Sequence, residues 1–163
     1  MNKLFTVLLL AMTMIACNQS NDYKKITSNP DLYAYTVHEL NQVVMGNNFS
    51  PIVASRNYAY AAIAGYEVVA AGNPTAFQSL AGQLKGLTAL PKPKDTANID
   101  FPYAALVAYA TVGQAVTFPE GSMQDYTDSL RKLVKQNGMT NKMIESSEAF
   151  AQEVSTTIID WSK

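Results

Sequence analysis

Few side chains in this sequence have the chemistry to grip or attack a substrate. There is one histidine, His38, one cysteine, Cys17, and a pair of arginines, Arg56 and Arg131. No Cys–His pair, HExxH, GxSxG, glycine-rich phosphate loop or EF-hand loop is present. A zinc centre takes three or four nitrogen, sulfur or carboxylate ligands, and the two soft donors are far apart in the chain. His38 sits mid-helix between Val37 and Glu39, next to an apolar stripe. It reads as a partly buried, hydrogen-bonded histidine, with a general base or a ligand as the competing role.

Arg56, Tyr60, Ile63 and Glu67 recur at spacings of four, three and four, so they share one helical stripe. Arg56 and Glu67 are about 16 Å apart along such a helix and cannot pair with each other. Either both lie on a wet face or each meets a partner on another helix, where a buried Arg needs a carboxylate or carbonyls around it. Glu145 and Glu148, one turn apart, are candidate paired acids, but at the start of a helix they more commonly complement its dipole. Lys92, Lys94 and Asp95 read as solvated. No residue is assigned to catalysis, to a cofactor or to a metal.

The elements that must position these groups are helical throughout. Asn29-Pro30 and Ser50-Pro51 both read as helix starts, with proline at a first position where its missing N–H costs nothing. The first of these helices carries Tyr33, Val37, Leu40 and Val44 on one face and ends at Gly46-Asn47-Asn48. The second runs to about Ala71, and its stripe of Ala54, Tyr58, Ala61, Gly65 and Val68 or Val69 is small enough for close approach by a neighbour. Phe77, Leu80 and Leu84 suggest a short helix, followed by an ordered loop over 85–100 containing Gly86, Pro91 and Pro93. From Pro102 to about Phe118 the chain is apolar nearly all round, which predicts a central helix.

Ser122 and Asp125 form a capping-box pattern ahead of the stripe Met123, Tyr126, Leu130, Leu133 and Val134. Thr140 caps a last helix with Met143, Ser147, Phe150, Val154, Ile158 and Trp161 on one face. No period-two pattern competes, so the class is all-α, a bundle of about five helices. The chain stops soon after Trp161 with no Gly or Pro behind it, which suggests a cut through a longer protein, although a terminal helix can also finish a domain.

The beginning of the chain reads as an address. Lys3 precedes an apolar run from Leu4 to Ile15, too short for the roughly 20 residues that cross a membrane but suited to a signal peptide over 1–16. Ala16-Cys17 followed by polar residues resembles a bacterial lipobox, with Met14 where Leu is usual. Cys17 is thus read as a lipidation site, against a free thiol in an uncleaved anchor or a residue lost with the leader. Residues 17–29 then form a lipidated N-terminus and tether, and 30–163 the all-α domain. The expected location is the bacterial cell envelope, on a periplasmic or cell-surface face, with the membrane as partner through the lipid anchor.

The formal net charge of −1 becomes −2 without Lys3, which argues against nucleic acid, since that calls for a basic patch. Charged residues make up only 15% of the chain, below the usual quarter, as though much of the helix surface were to be covered.

The run Ser50-Pro51-Ile52-Val53-Ala54-Ser55-Arg56-Asn57-Tyr58-Ala59-Tyr60 resembles the N-terminal helical region of bacterial vanadium-dependent haloperoxidase-like proteins, of the type 2 phosphatidic acid phosphatase superfamily. The likeness continues through Ser79-Leu80-Ala81-Gly82-Gln83-Leu84, Gly86-Leu87, Leu90-Pro91-Lys92-Pro93, Phe101-Pro102 and Ile159-Asp160-Trp161. It implies a second helical half in relatives that holds the chemistry: a Lys, an Arg-Pro, a Ser-Gly-His, then an Arg and a further His, around vanadate or a phosphoryl group. None of these can be placed in the present chain, which has one histidine and neither Arg-Pro nor Ser-Gly-His.

Two expectations follow. The chain is a scaffold portion of a haloperoxidase-like or phosphatase-like lipoprotein, truncated or split, inactive alone, and partnered by a missing catalytic half or by itself. Alternatively it is a complete helical lipoprotein that binds a partner or ligand.

Overall fold

A proline or a capping side chain marks most helix starts in the computed structural model, which describes residues 21–163. The leader and Cys17 lie outside the described residues. The helices are α1 (Tyr23–Thr27), α2 (Pro30–Gly46), α3 (Pro51–Gly72), α4 (Phe101–Ala115), α5 (Gln124–Gln136) and α6 (Asn141–Trp161), with one 3₁₀ turn, Thr96–Asn98. No strand occurs among the described residues.

The Asn29 side chain accepts the Asp31 N–H at the start of α2, and the Thr140 hydroxyl accepts the Met143 N–H at the start of α6. Ser50 caps α3 through extended backbone and Pro51 rather than through a side-chain bond. Helix α4 starts a residue earlier than expected because the Asp100 carboxylate accepts the Tyr103 N–H. The capping box at Ser122 does not form: Met123 stands at the N-cap of α5 without a side-chain bond.

Helix α4 is central. Tyr103, Leu106, Tyr109 and Ala110 face one apolar cluster, with Leu40, Ala61, Leu130 and Ile144. Ala104, Ala105, Ala108 and Val112 face a second, with Ala64, Val68, Phe150 and Val154. A helix that serves two clusters needs apolar residues all round, as its sequence has. The small stripe of α3 packs on α4 at close range: a Cβ on Gly65 would stand 3.3 Å from the Ala105 carbonyl oxygen and 3.6 Å from the Tyr109 Cβ.

Three further expectations about the helices need correction. The tether is shorter than its polar sequence suggests, because residues 23–27 form α1. Tyr23 is buried, its N–H donates to the Asn137 carbonyl at 3.0 Å, and its hydroxyl donates to the Met143 sulfur. The short helix at Phe77–Leu84 is a set of turns. There the Leu80 N–H goes to Glu67 and the Ala81 N–H to the Ser79 hydroxyl, so side chains take donors a helical ladder would use, and Gly82 sits at φ +80°. Lastly, α2 is rotated. Thr36, Leu40 and Val44 are its buried residues, while Tyr33 is 41% exposed; Thr36 is tolerated inside because its hydroxyl bonds to the Leu32 carbonyl and to Tyr126.

The α3–α4 contact meets backbone, which cannot swing aside. Gly65→Val is therefore expected to lower the free energy of unfolding by about 1–3 kcal/mol through overpacking. Gly46→Ala, with nothing within 4 Å of the added carbon, is expected to raise it by up to about 1 kcal/mol. Urea denaturation of both variants with an unchanged slope checks the pair.

Candidate functional site

The chemistry-bearing residues are dispersed over the helices rather than gathered. His38 is exposed on α2, not partly buried, and one ring nitrogen bonds Gln42 Nε2 at 3.0 Å one turn along. Arg56 lies on a wet face of α3. Its guanidinium donates to the Tyr60 hydroxyl at 2.8 and 3.3 Å and sits 5.7 Å from the centre of that ring. Glu145 is exposed and does not pair with Glu148. Lys92 is exposed, Lys94 reaches Glu153 at 3.0 Å, and Asp95 meets Lys142 at 4.0 Å, so the proline loop is solvated and also pinned to α6. Among the described residues no group of three or more His, Cys, Asp or Glu could hold a metal. None of the described helices is long and apolar enough to cross a membrane.

One place does bring charged and aromatic groups together. A cleft of about 310 Å³ opens between α4, α5 and α6, lined among others by Tyr103, Gln114, Gln124, Asp128, Arg131 and Glu148. Arg131 and Glu148 form a close ion pair across α5 and α6. Glu148 also accepts the Tyr103 hydroxyl at 2.8 Å, extending the chain to α4. Burial chiefly, and then the hydrogen bond to Glu148 and its charge, push the Tyr103 phenol well above the ordinary tyrosine range, against the pull of Arg131. The phenol is a donor, and the carboxylate and guanidinium are paired with each other. Such a chain braces three helices. Sequence reading missed it because its members lie on three helices; the signal within reach was that Glu148 and Arg131 each occupy an amphipathic helix beside the buried stripe.

Glu67 is the other charged group drawn inside, 3% exposed. Its carboxylate accepts the Ser79 hydroxyl at 2.7 Å and the Leu80 N–H at 2.6 Å. Of the two readings of the Arg56–Glu67 stripe, the wet face holds for Arg56, while Glu67 turns inward to a loop.

No family model matches the chain, and no curated protein does either. Among solved structures, a bacterial vanadium-dependent iodoperoxidase matches at 35% identity with a TM-score of 0.74, over 81% of this chain. The chain resembles the vanadium-dependent haloperoxidases over most of its own length. The match spans 31% of the iodoperoxidase chain, so the present chain covers about a third of that protein's length. The all-helical bundle expected of the family is the one observed.

Tyrosine burial in the haloperoxidase-like bundle sets a pH response. Burial foremost raises Tyr103 and Tyr109, and raises Tyr126 to about 12. In the unfolded chain these phenols ionise near 10, so above that pH the folded state binds more protons and stability falls as pH rises. The expected outcome is a falling midpoint of unfolding from pH 10 to 12, with part of the tyrosinate absorbance at 295 nm appearing only as the protein unfolds.

Proposed function

We propose that this chain is an exported lipoprotein carrying a helical scaffold portion of a vanadium-haloperoxidase-like protein, and that it does not turn over substrate by itself. The observation that carries the reading is the placement of its imidazole and guanidinium groups. Vanadate, or a phosphoryl group in transit, spreads negative charge over several oxygens and needs several fixed donors converging on it. Here His38, Arg56 and Arg131 stand on three different helices, and their partners are Gln42, Tyr60 and Glu148. The described imidazole and guanidinium groups therefore do not converge to fit an oxyanion cofactor. The partial span of the iodoperoxidase match supports a role as scaffold for a catalytic portion supplied beyond these residues.

Membrane attachment rests on Cys17, the single cysteine, set at the end of an apolar run of signal-peptide length. Acyl chains there would bury methylenes worth about 0.8 kcal/mol each.

Two measurements test the proposal. Purified chain assayed for vanadate-dependent iodide and bromide oxidation, and for phosphatase activity, is expected to stay at background; clear turnover would overturn the scaffold reading. Metabolic labelling with a fatty-acid analogue is expected to mark the wild-type chain and not Cys17→Ser, with the variant leaving the membrane fraction. Equal labelling of both would remove the anchor.

A further inference from the structure

Glu67 also opens onto a separate cleft, away from the Arg131–Glu148 brace. This cleft lies between the end of α3 and the two irregular segments around Pro74–Ser79 and Ala89–Pro93, with a volume of about 630 Å³. That lies within the roughly 300–1,000 Å³ typical of small-molecule sites. Its walls are mainly apolar, from Ala71, Pro74, Phe77, Leu90 and Pro91. Phe77 remains 43% exposed although its ring packs edge-on against Tyr66.

A carboxylate has about four lone-pair directions, and Glu67 uses two, for Ser79 and Leu80. Both of those donors are neutral. No described cation pairs with Glu67, although burying a carboxylate is costly unless its charge is met. Lys92 lines the same cleft but is exposed and makes no ion pair, so its charge is screened by water. An apolar trough with one buried, partly unused anion has a complementary ligand: a cationic head on a short apolar body. We propose that this cleft binds a primary alkylamine, its ammonium on Glu67 and its chain along Phe77, Leu90 and Pro91. The site belongs to the folded bundle itself and does not depend on whether the chain is a scaffold or an anchored protein.

The test uses n-octylamine as the probe, with n-octanol and n-octanoate as controls, by isothermal calorimetry on the full chain. Octylamine is expected to bind at least tenfold more tightly than either control. Glu67→Gln keeps an acceptor for the Leu80 N–H and is expected to weaken octylamine at least tenfold while leaving octanol unchanged. Ala71→Leu, which fills the apolar trough and leaves Glu67 in place, is expected to weaken octylamine and octanol alike, and it decides the matter where Glu67→Gln does not fold. Lys92→Met is expected to leave octylamine binding equal or tighter. Equal affinity for amine and alcohol, octylamine binding that survives both Glu67→Gln and Ala71→Leu, or no amine binding at millimolar concentration would each overturn the proposal.

Discussion

The architecture depends on how closely α3 and α4 can approach. At Gly65 the two backbones come near enough that even a single added carbon would press on a carbonyl oxygen. Ala61 and Ala64 on one helix, and Ala104, Ala105 and Ala108 on the other, keep the rest of that seam thin and fully buried. Side chains this small gain little hydrophobic energy individually. The close packing they permit instead multiplies dispersion contacts along the two helices. With α4 held there, its remaining faces are committed, and α2, α5 and α6 pack around what is left.

Polar residues inside the bundle follow a consistent pattern. Ser147 accepts the Asp100 N–H, Asn57 donates to the Val116 carbonyl, and Thr117 returns to the Gly113 carbonyl. Each satisfies a backbone group where a helix starts or stops, so the cost of burying a hydroxyl or amide is offset where a helix end would leave donors or acceptors open. Asp100 does this with its carboxyl. Burial pushes that group up, while the Tyr103 N–H and Lys24 pull it back. Asn47 makes the same kind of link between distant turns, exchanging two hydrogen bonds with the backbone of Phe118.

Long helices with proline starts and steady apolar spacing were legible in the sequence, because α3 through α6 bury the residues their periods nominate. Elements whose existence depends on distant partners were not. Helix α1 is five residues long, far below the length at which a helix is stable alone, and only its seat against Asn137 and Met143 makes it one. The Phe77–Leu84 segment has helical spacing, yet Glu67, a dozen residues upstream, takes its donors. The rotation of α2 turns on a hydroxyl pair, Thr36 and Tyr126, 90 positions apart. For the candidate site, the residue types themselves were readable, with one histidine and two arginines. The Arg131–Glu148–Tyr103 brace was not, since it joins positions 17 and 45 residues apart.

The seating of α1 has a mechanical consequence. Tyr23 ties the N-terminal end of the described chain to the α5–α6 corner through the Asn137 carbonyl and the Met143 sulfur. A five-residue helix has no strength of its own, so a pull on that end is passed straight to the turn between α5 and α6.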